Sequence, residues 1–189
     1  NIRGLRGNFE DLKIILNERN PSVTCLQETM LNSISYNAGL NYKFYGSIPE
    51  LSADTRAKGG AAIIVKSNVS HDYVPLRTVL QAVAIKVVFE KQYTICSLYL
   101  DPSTDVSYTD LEDLIGQLDP PFVILGDLNA HNPLWGCTLI NDKGRLIERL
   151  LTEHDISLLN DDTATYYNLH NNSTSIIDLG MCSPNVLLN

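Results

Sequence analysis

Hydrophobic residues along the chain recur with two spacings, one typical of helices and the other typical of strands. Apolar residues three and four positions apart predict three helices. Asn8 is a candidate N-cap before the first helix. Thr109 and Glu112 form a candidate capping box for the second, which ends before Pro120. The predicted helices cover roughly residues 9–20, 109–119 and 142–154.

Shorter apolar or alternating runs predict strands between these helices. The alternation over residues 81–89 is followed by a short turn and a second run at 93–98, which predicts a hairpin. A polar stretch from about 32 to 60 predicts no clear element. Because strands and helices alternate without repeats or linkers, we expect a layered α/β or α+β domain with a mixed sheet. The other predicted strands are 23–27, 61–65, 122–125, 156–159 and 174–179.

Length and composition indicate a soluble globular domain. A chain of 189 residues that is 44% hydrophobic can bury a core without disulfides or metals. It has no apolar run near the roughly 20 residues that span a bilayer, so we expect no membrane contact. Its four cysteines show no metal-ligand spacing, which favours reduced thiols and an intracellular protein. The net charge of −8 argues against a broadly basic DNA-coating protein but allows a local phosphate site.

Polar side chains follow three of the apolar runs, at the point where each predicted strand ends. They are Glu28, Tyr99 and Asp127, with Asn129 two positions later. A single acid after a strand is more often a cap or turn residue, but the combination resembles a site at one edge of a sheet. Carboxylate and amide oxygens without His or Cys suit Mg²⁺ or Mn²⁺. Neither a P-loop nor a dinucleotide-binding glycine motif is present.

Several short motifs resemble one known superfamily, the exonuclease–endonuclease–phosphatase superfamily. They are the Gly-Asp-Leu-Asn-Ala-His run at 126–131, the Gln-Glu-Thr run at 27–29 and the opening Asn-Ile-Arg-Gly-Leu at 1–5. Within it, residues 129–136 and 175–178 resemble the endonuclease domain of a non-LTR (LINE-type) retrotransposon. The resemblance covers essentially the whole chain. It implies one α/β domain over residues 1–189, a DNase I-like four-layer sandwich with two packed mixed β-sheets flanked by helices.

The resemblance also implies roles for individual residues. Glu28 matches the principal Mg²⁺ or Mn²⁺ ligand, with Asn1 beside it. Asp127 and Asn129 match a pair that orients the attacking water and contacts the scissile phosphate. Tyr99 matches a phosphate-facing tyrosine, and Asp178 matches a carboxylate that orients a catalytic histidine. The candidate DNA contacts are Arg3, Arg6, Thr165, Ser175, Ile177 and His170, the last within a predicted DNA-contacting hairpin at 168–174.

The activity implied is a divalent-metal-dependent endonuclease that nicks double-stranded DNA. The nick exposes a 3′-OH for target-primed reverse transcription by a reverse transcriptase domain in the same polyprotein, which implies action in the nucleus. A superfamily phosphatase acting on small phosphate esters is an alternative, and would need a basic pocket at the site. A catalytically inactive DNA-binding or scaffold domain is a second alternative, and would not need to bind a metal.

One departure from the family pattern concerns the end of the chain. The family's last strand carries Ser-Asp-His, and no histidine follows Asp178 here. We therefore expect a C-terminally truncated domain that lacks this strand and nicks DNA poorly unless it is extended. An uncovered sheet edge would also allow self-association.

Overall fold

Two β-sheets packed face to face form the centre of the protein. The structure is a computed structural model and describes residues 1–31, 41–47, 57–161, 163–168 and 172–187. The strands in chain order are β1 (Val23–Gln27), β2 (Tyr42–Gly46), β3 (Ala61–Lys66), β4 (Ser70–Val74), β5 (Gln81–Val88), β6 (Gln92–Tyr99), β7 (Phe122–Asp127), β8 (Ser157–Leu158), β9 (Tyr166–Asn168), β10 (Ser173–Ser175) and β11 (Asp178–Cys182).

The two central sheets differ in size and strand direction. One is antiparallel with the order β1-β3-β2, and the other has the order β4-β5-β6-β7-β11-β8. In the larger sheet β6 and β7 run parallel, whereas its other neighbouring strands pair antiparallel. Strands β5 and β6 pair antiparallel and form the predicted hairpin. Strands β9 and β10 form a separate two-stranded hairpin.

Helices cover the outer face of each sheet. They are α1 (Phe9–Arg19), α2 (Tyr108–Ile115), α3 (Asp142–Glu153) and the short α4 (Pro184–Leu187). Helix α1 packs Leu12 and Leu16 against the three-stranded sheet. Helices α2 and α3 pack against the six-stranded sheet. Among the described residues, no helix is both long and apolar enough to cross a membrane.

The inter-sheet layer is apolar and completes a four-layer arrangement. Ile63 and Val65 of β3 meet Val83, Ile85 and Val87 of β5 between the sheets, while the alternate residues of β3 face α1. Burial on both faces explains why β3 is a continuous apolar run. The order helix, sheet, sheet, helix confirms the predicted α/β sandwich.

The structure corrects several local predictions. The strand predicted at 174–179 is wrong, because residues 173–175 belong to the β9–β10 hairpin and 178–182 form β11. Strands β2 and β4 were not predicted. Strands β9 and β10 form a hairpin where one was predicted at 168–174, with residues 169–171 outside the described part of the chain. Ile15, expected on the buried face of α1, is 53% exposed. The capping box of α2 uses Ser107 and Asp110, not the predicted pair.

The cysteines behave as small core residues. All four are free thiols; Cys96, Cys137 and Cys182 are buried and Cys25 is half-buried. Burial raises the pKa of Cys25 to about 12, so its thiolate is disfavoured. The cysteines therefore contribute to the core as small apolar side chains.

Candidate functional site

The strand register of the six-stranded sheet brings three predicted site residues to one end of it. Tyr99 of β6 is the register partner of Asp127 in β7. On the other side of β7, Asp127 is paired with Asp178 of β11. Because register partners project from the same face of a sheet, these three side chains share one surface.

Glu28 reaches the same place from the other sheet, directly after β1. Its backbone is in the left-handed region, with φ 54°. The neighbouring residues are held by backbone hydrogen bonds, from Thr29 N to Gly60 O at 3.2 Å and from Met30 N to Gly59 O at 2.8 Å. Both glycines have positive φ, and a Cβ atom would collide with Gln81 and Tyr99 at position 59 and with Thr29 at position 60. Glycine therefore lets this loop close tightly around Glu28.

Hydrogen bonds and close charges connect the site residues. Tyr99 lies near the Glu28 carboxylate, which adds to the effect of burial in raising the pKa of Tyr99. The side-chain amide of Asn1 donates to Asp127 Oδ2 at 2.8 Å. The backbone N–H of Asn129 donates to Asp127 Oδ1 at 3.2 Å, and its side-chain nitrogen donates to the Leu100 carbonyl at 3.0 Å. Asn129 thus supports Asp127 through its backbone, while its amide nitrogen is held by the main chain.

The surroundings of Asp127 favour its protonated form. Burial raises the pKa of Asp127 to about 6, and the nearby charges of Asp178 and Glu28 act in the same direction. The hydrogen bonds from Asn129 and Asn1 oppose this shift. A carboxyl group with a pKa near neutrality can exchange a proton under physiological conditions.

The Tyr99 hydroxyl is kept protonated by the same environment. Burial raises its pKa above the ordinary value, and the negative charges of Glu28, Asp101 and Asp127 raise it further. The phenol is therefore a hydrogen-bond donor at neutral pH. Such a donor can stabilise negative charge on a phosphate oxygen.

The oxygen atoms at this end of the molecule fit a hard divalent cation. Glu28, Asp127 and the Asn1 carboxamide are the oxygen ligand types that Mg²⁺ and Mn²⁺ prefer. A cation would also relieve the repulsion that raises the pKa of Asp127. In the part of the chain that the structure describes, no group of three or more His, Cys, Asp or Glu side chains is arranged to hold a metal ion. A bound cation would therefore take further ligands from Asn1, water or substrate phosphate, as Mg²⁺ commonly does.

Three of the predicted DNA-contacting residues lie around the β9–β10 hairpin. Thr165 N donates to Ser175 O at 3.0 Å at the base of this hairpin. The Thr165 hydroxyl accepts from Ile177 N at 3.0 Å and from Asp178 N at 3.1 Å. The hairpin is thereby attached beside Asp178. The Ile177 side chain is buried, with 8% exposure, so little of it is available to a nucleotide.

The remaining DNA-contact predictions have different outcomes. Arg3 and Arg6 are exposed on the opening segment next to Asn1. The backbone N–H of Arg3 donates to Asn1 Oδ1 at 3.4 Å, so this segment lies close to the site. His170 lies outside the described residues. The DNA-binding roles of all these residues stay predictions.

Sequence reasoning missed Gln27, Ser97 and Asp101. Asp101 contributes to the raised pKa of Tyr99. Gln27 and Ser97 are both buried and hydrogen-bonded between the sheets. The sequence does mark Gln27 and Ser97, because each is a polar residue at an inward-facing position of a strand.

Sequence comparison relates the chain to proteins encoded by mobile elements. Residues 93–189 match the family described as endonuclease-reverse transcriptase. The RNA-directed DNA polymerase from the mobile element jockey of Drosophila melanogaster is 24% identical over 171 residues. That match covers 88% of this chain and 18% of the relative, so the chain spans less than a fifth of that protein.

Comparison of three-dimensional structures gives the same assignment of fold. The endonuclease domain of TRAS1, a telomere-specific non-LTR retrotransposon, superposes with a TM-score of 0.76 at 20% identity, covering 95% of this chain and 80% of that one. An AP endonuclease from Archaeoglobus fulgidus superposes with a TM-score of 0.70 at 14% identity. That match covers 98% of this chain and 85% of the AP endonuclease chain. With the family match over half of the sequence, the chain belongs to the endonuclease-reverse transcriptase family.

Proposed function

We propose that this chain is the DNA endonuclease domain of a non-LTR retrotransposon and hydrolyses one strand of double-stranded DNA with Mg²⁺ or Mn²⁺. The observation that carries the proposal is the convergence of Glu28, Tyr99 and Asp127, which come from two sheets and lie close enough for their charges to raise the pKa values of Tyr99 and Asp127. The nick supplies a 3′-OH for target-primed reverse transcription in the nucleus. The names and lengths of the sequence relatives support a reverse transcriptase in the same polyprotein.

The chemistry follows from what phosphodiester hydrolysis requires. Glu28 and Asn1 would hold a divalent cation, which would neutralise charge on the phosphate and lower the pKa of water. Asp127, a buried carboxylate, accepts a proton from the attacking water. The water oxygen bonds to phosphorus as the P–O3′ bond breaks, and the leaving 3′ oxygen takes a proton from solvent to become the 3′-OH. Asn1 and the Asn129 backbone hold this carboxylate in place. Tyr99, which stays protonated, donates a hydrogen bond to a non-bridging phosphate oxygen.

Metal binding by the chain itself provides the first test. We expect Glu28→Gln to weaken Mg²⁺ and Mn²⁺ binding at least tenfold in calorimetric titration, because it removes the charged ligand. Glu18→Gln removes the same charge from an exposed position on α1 and should leave binding unchanged. If the wild-type chain binds DNA but neither metal, the result supports the inactive DNA-binding alternative and contradicts the proposal.

DNA nicking in the natural full-length protein provides the second test. Asp127→Ala should reduce Mg²⁺-dependent nicking of supercoiled plasmid at least a hundredfold, because the proton acceptor is lost. Reverse transcriptase activity on a pre-primed template should be unchanged in the same preparation. Preferential hydrolysis of small phosphate esters over plasmid DNA would instead support the phosphatase alternative.

A further inference from the structure

A small group of buried hydrogen bonds crosses from one sheet to the other below the candidate site. The Gln27 side-chain nitrogen donates to Ser97 Oγ at 3.0 Å and to the Leu125 carbonyl at 3.3 Å. The Ser97 hydroxyl donates back to the Leu26 carbonyl at 3.1 Å. Gln27 is 5% exposed and Ser97 is fully buried. These bonds therefore join β1 to both β6 and β7.

Each strand in this group carries a site residue one or two positions further along. Gln27 directly precedes Glu28, and Ser97 and Leu125 are register partners two residues before Tyr99 and Asp127. The backbone of Gln27 adds a fourth connection, since its carbonyl accepts from Ile2 N at 2.9 Å next to Asn1. Gln27 is thus bonded to the segments that supply Tyr99, Asp127 and Asn1, and directly precedes Glu28.

Much of the inter-sheet layer around these bonds consists of aliphatic contacts such as those of Ile63, Val83 and Ile85. Other polar contacts between the sheets join Tyr45 to His71 and Gly60 to Gln81. Apolar contacts stabilise burial without a preferred direction, whereas a hydrogen bond weakens steeply when its angle or length changes. A shift of β1 against β6 would also leave the buried amide and hydroxyl unpaired, which is unfavourable for a polar group away from water.

We propose that Gln27 and Ser97 are positioning residues, whose inter-sheet hydrogen bonds set the spacing of Glu28 from Tyr99 and Asp127 needed for metal and phosphate binding. The inference rests on the proposed function and deepens it. It assigns the polar pair to the preorganisation of the site, in addition to any contribution to folding stability.

The test compares metal affinity with folding stability in the complete chain. Gln27→Leu should weaken Mg²⁺ binding at least fivefold by calorimetry, at a temperature where circular dichroism shows the variant to be folded. Ser97→Ala should weaken it in the same direction. The double variant should lie within twofold of Gln27→Leu, because both substitutions remove the same connection. In the natural full-length protein, at Mg²⁺ concentrations that saturate both wild type and variant, kcat for nicking should fall while KM for DNA stays within twofold.

The matched control is Val83→Ala, which removes apolar volume from the same inter-sheet layer. It should lower the urea midpoint of unfolding but keep the Mg²⁺ dissociation constant within twofold of wild type. Wild-type Mg²⁺ affinity in folded Gln27→Leu and Ser97→Ala would overturn the inference and leave the proposed function intact. If Gln27→Leu does not fold, Ser97→Ala decides the question. Failure of the wild-type chain to bind Mg²⁺ would contradict both proposals.

Discussion

Asp127 carries a carboxyl group in surroundings that oppose its ionisation. Burial raises its pKa first, and the carboxylates of Asp178 and Glu28 add to the effect. The hydrogen bonds from Asn1 and Asn129 compensate in part. Without a cation, the ionised site therefore lowers the stability of the folded protein. Such strain is typical of residues whose environment serves chemistry.

A prediction at this scale concerns the pH dependence of stability in EDTA. The folded-state pKa of Asp127, about 6, lies above the ordinary value of 3.8. Protonation of Asp127 therefore contributes fully to the stability of the folded protein below pH 3.8, and this contribution is lost as the pH rises through 6. At pH 8 the ionised group costs roughly 1–3 kcal/mol. We expect Asp127→Asn to raise the melting temperature by several degrees at pH 8 and less at pH 4.

The control for this prediction is Asp105→Asn, which replaces an exposed carboxylate in a loop. In differential scanning calorimetry, the difference in melting temperature between Asp105→Asn and wild type should be the same at pH 8 and pH 4. A melting temperature of Asp127→Asn below that of wild type at pH 8 would contradict the argument.

Helix α2 shows how a local motif can be satisfied in two overlapping ways. Ser107 and Thr109 are each followed three residues later by an acid, so both pairs fit a capping box. In the structure, the Ser107 hydroxyl accepts from Asp110 N and Asp110 Oδ2 accepts from Ser107 N, both at 3.1 Å. The start of the helix thus lies two residues before the position that the motif predicted.

This difference gives a prediction at the scale of the element. Ser107→Ala should lower the free energy of unfolding by about 1 kcal/mol, because an N-terminal N–H loses its acceptor. Thr109→Ala, at an exposed position inside the first turn, should change it by less than about 0.5 kcal/mol. Urea unfolding monitored by circular dichroism measures both values. The opposite ranking would show that the helix begins where the sequence motif placed it.

The molecule as a whole carries a charge that opposes its proposed substrate. The net charge of −8 repels the phosphate backbone, and the candidate site adds carboxylates at the point of contact. A bound divalent cation would reverse the local charge where the phosphate must approach. We therefore expect DNA affinity to depend on the metal more than on the overall charge.

Fluorescence anisotropy with a labelled duplex tests this prediction. Wild-type affinity should be at least tenfold higher in Mg²⁺ than in EDTA at the same ionic strength. Glu28→Gln should lose this increase, because the cation is no longer held. Glu18→Gln changes the net charge by the same amount at an exposed position and should keep it. Equal wild-type affinity in Mg²⁺ and EDTA would contradict the role given to the cation.

Much of the fold could be predicted from local patterns. The run at 23–27 forms β1, and the third helix begins at Asp142 as expected. Prediction failed where the pattern was weak or continuous across a boundary. Strand β4 is largely exposed and lacks a clear apolar face. Around Ile176, no glycine or proline marks the change from the hairpin to β11, so the two strands were predicted as one.

The amino-acid pattern was sufficient for the layered α/β class and for the polar groups that follow three of the strands, because both depend on neighbours within a few positions. Tertiary structure alone decided that Asp178 lies across from Asp127, that Asn1 bonds to a carboxylate 126 positions away, and that Gln27 bonds to Ser97 over 70 positions. The raised pKa of Asp127 has the same origin. Burial and charge act through space, so they emerge only when distant segments pack together.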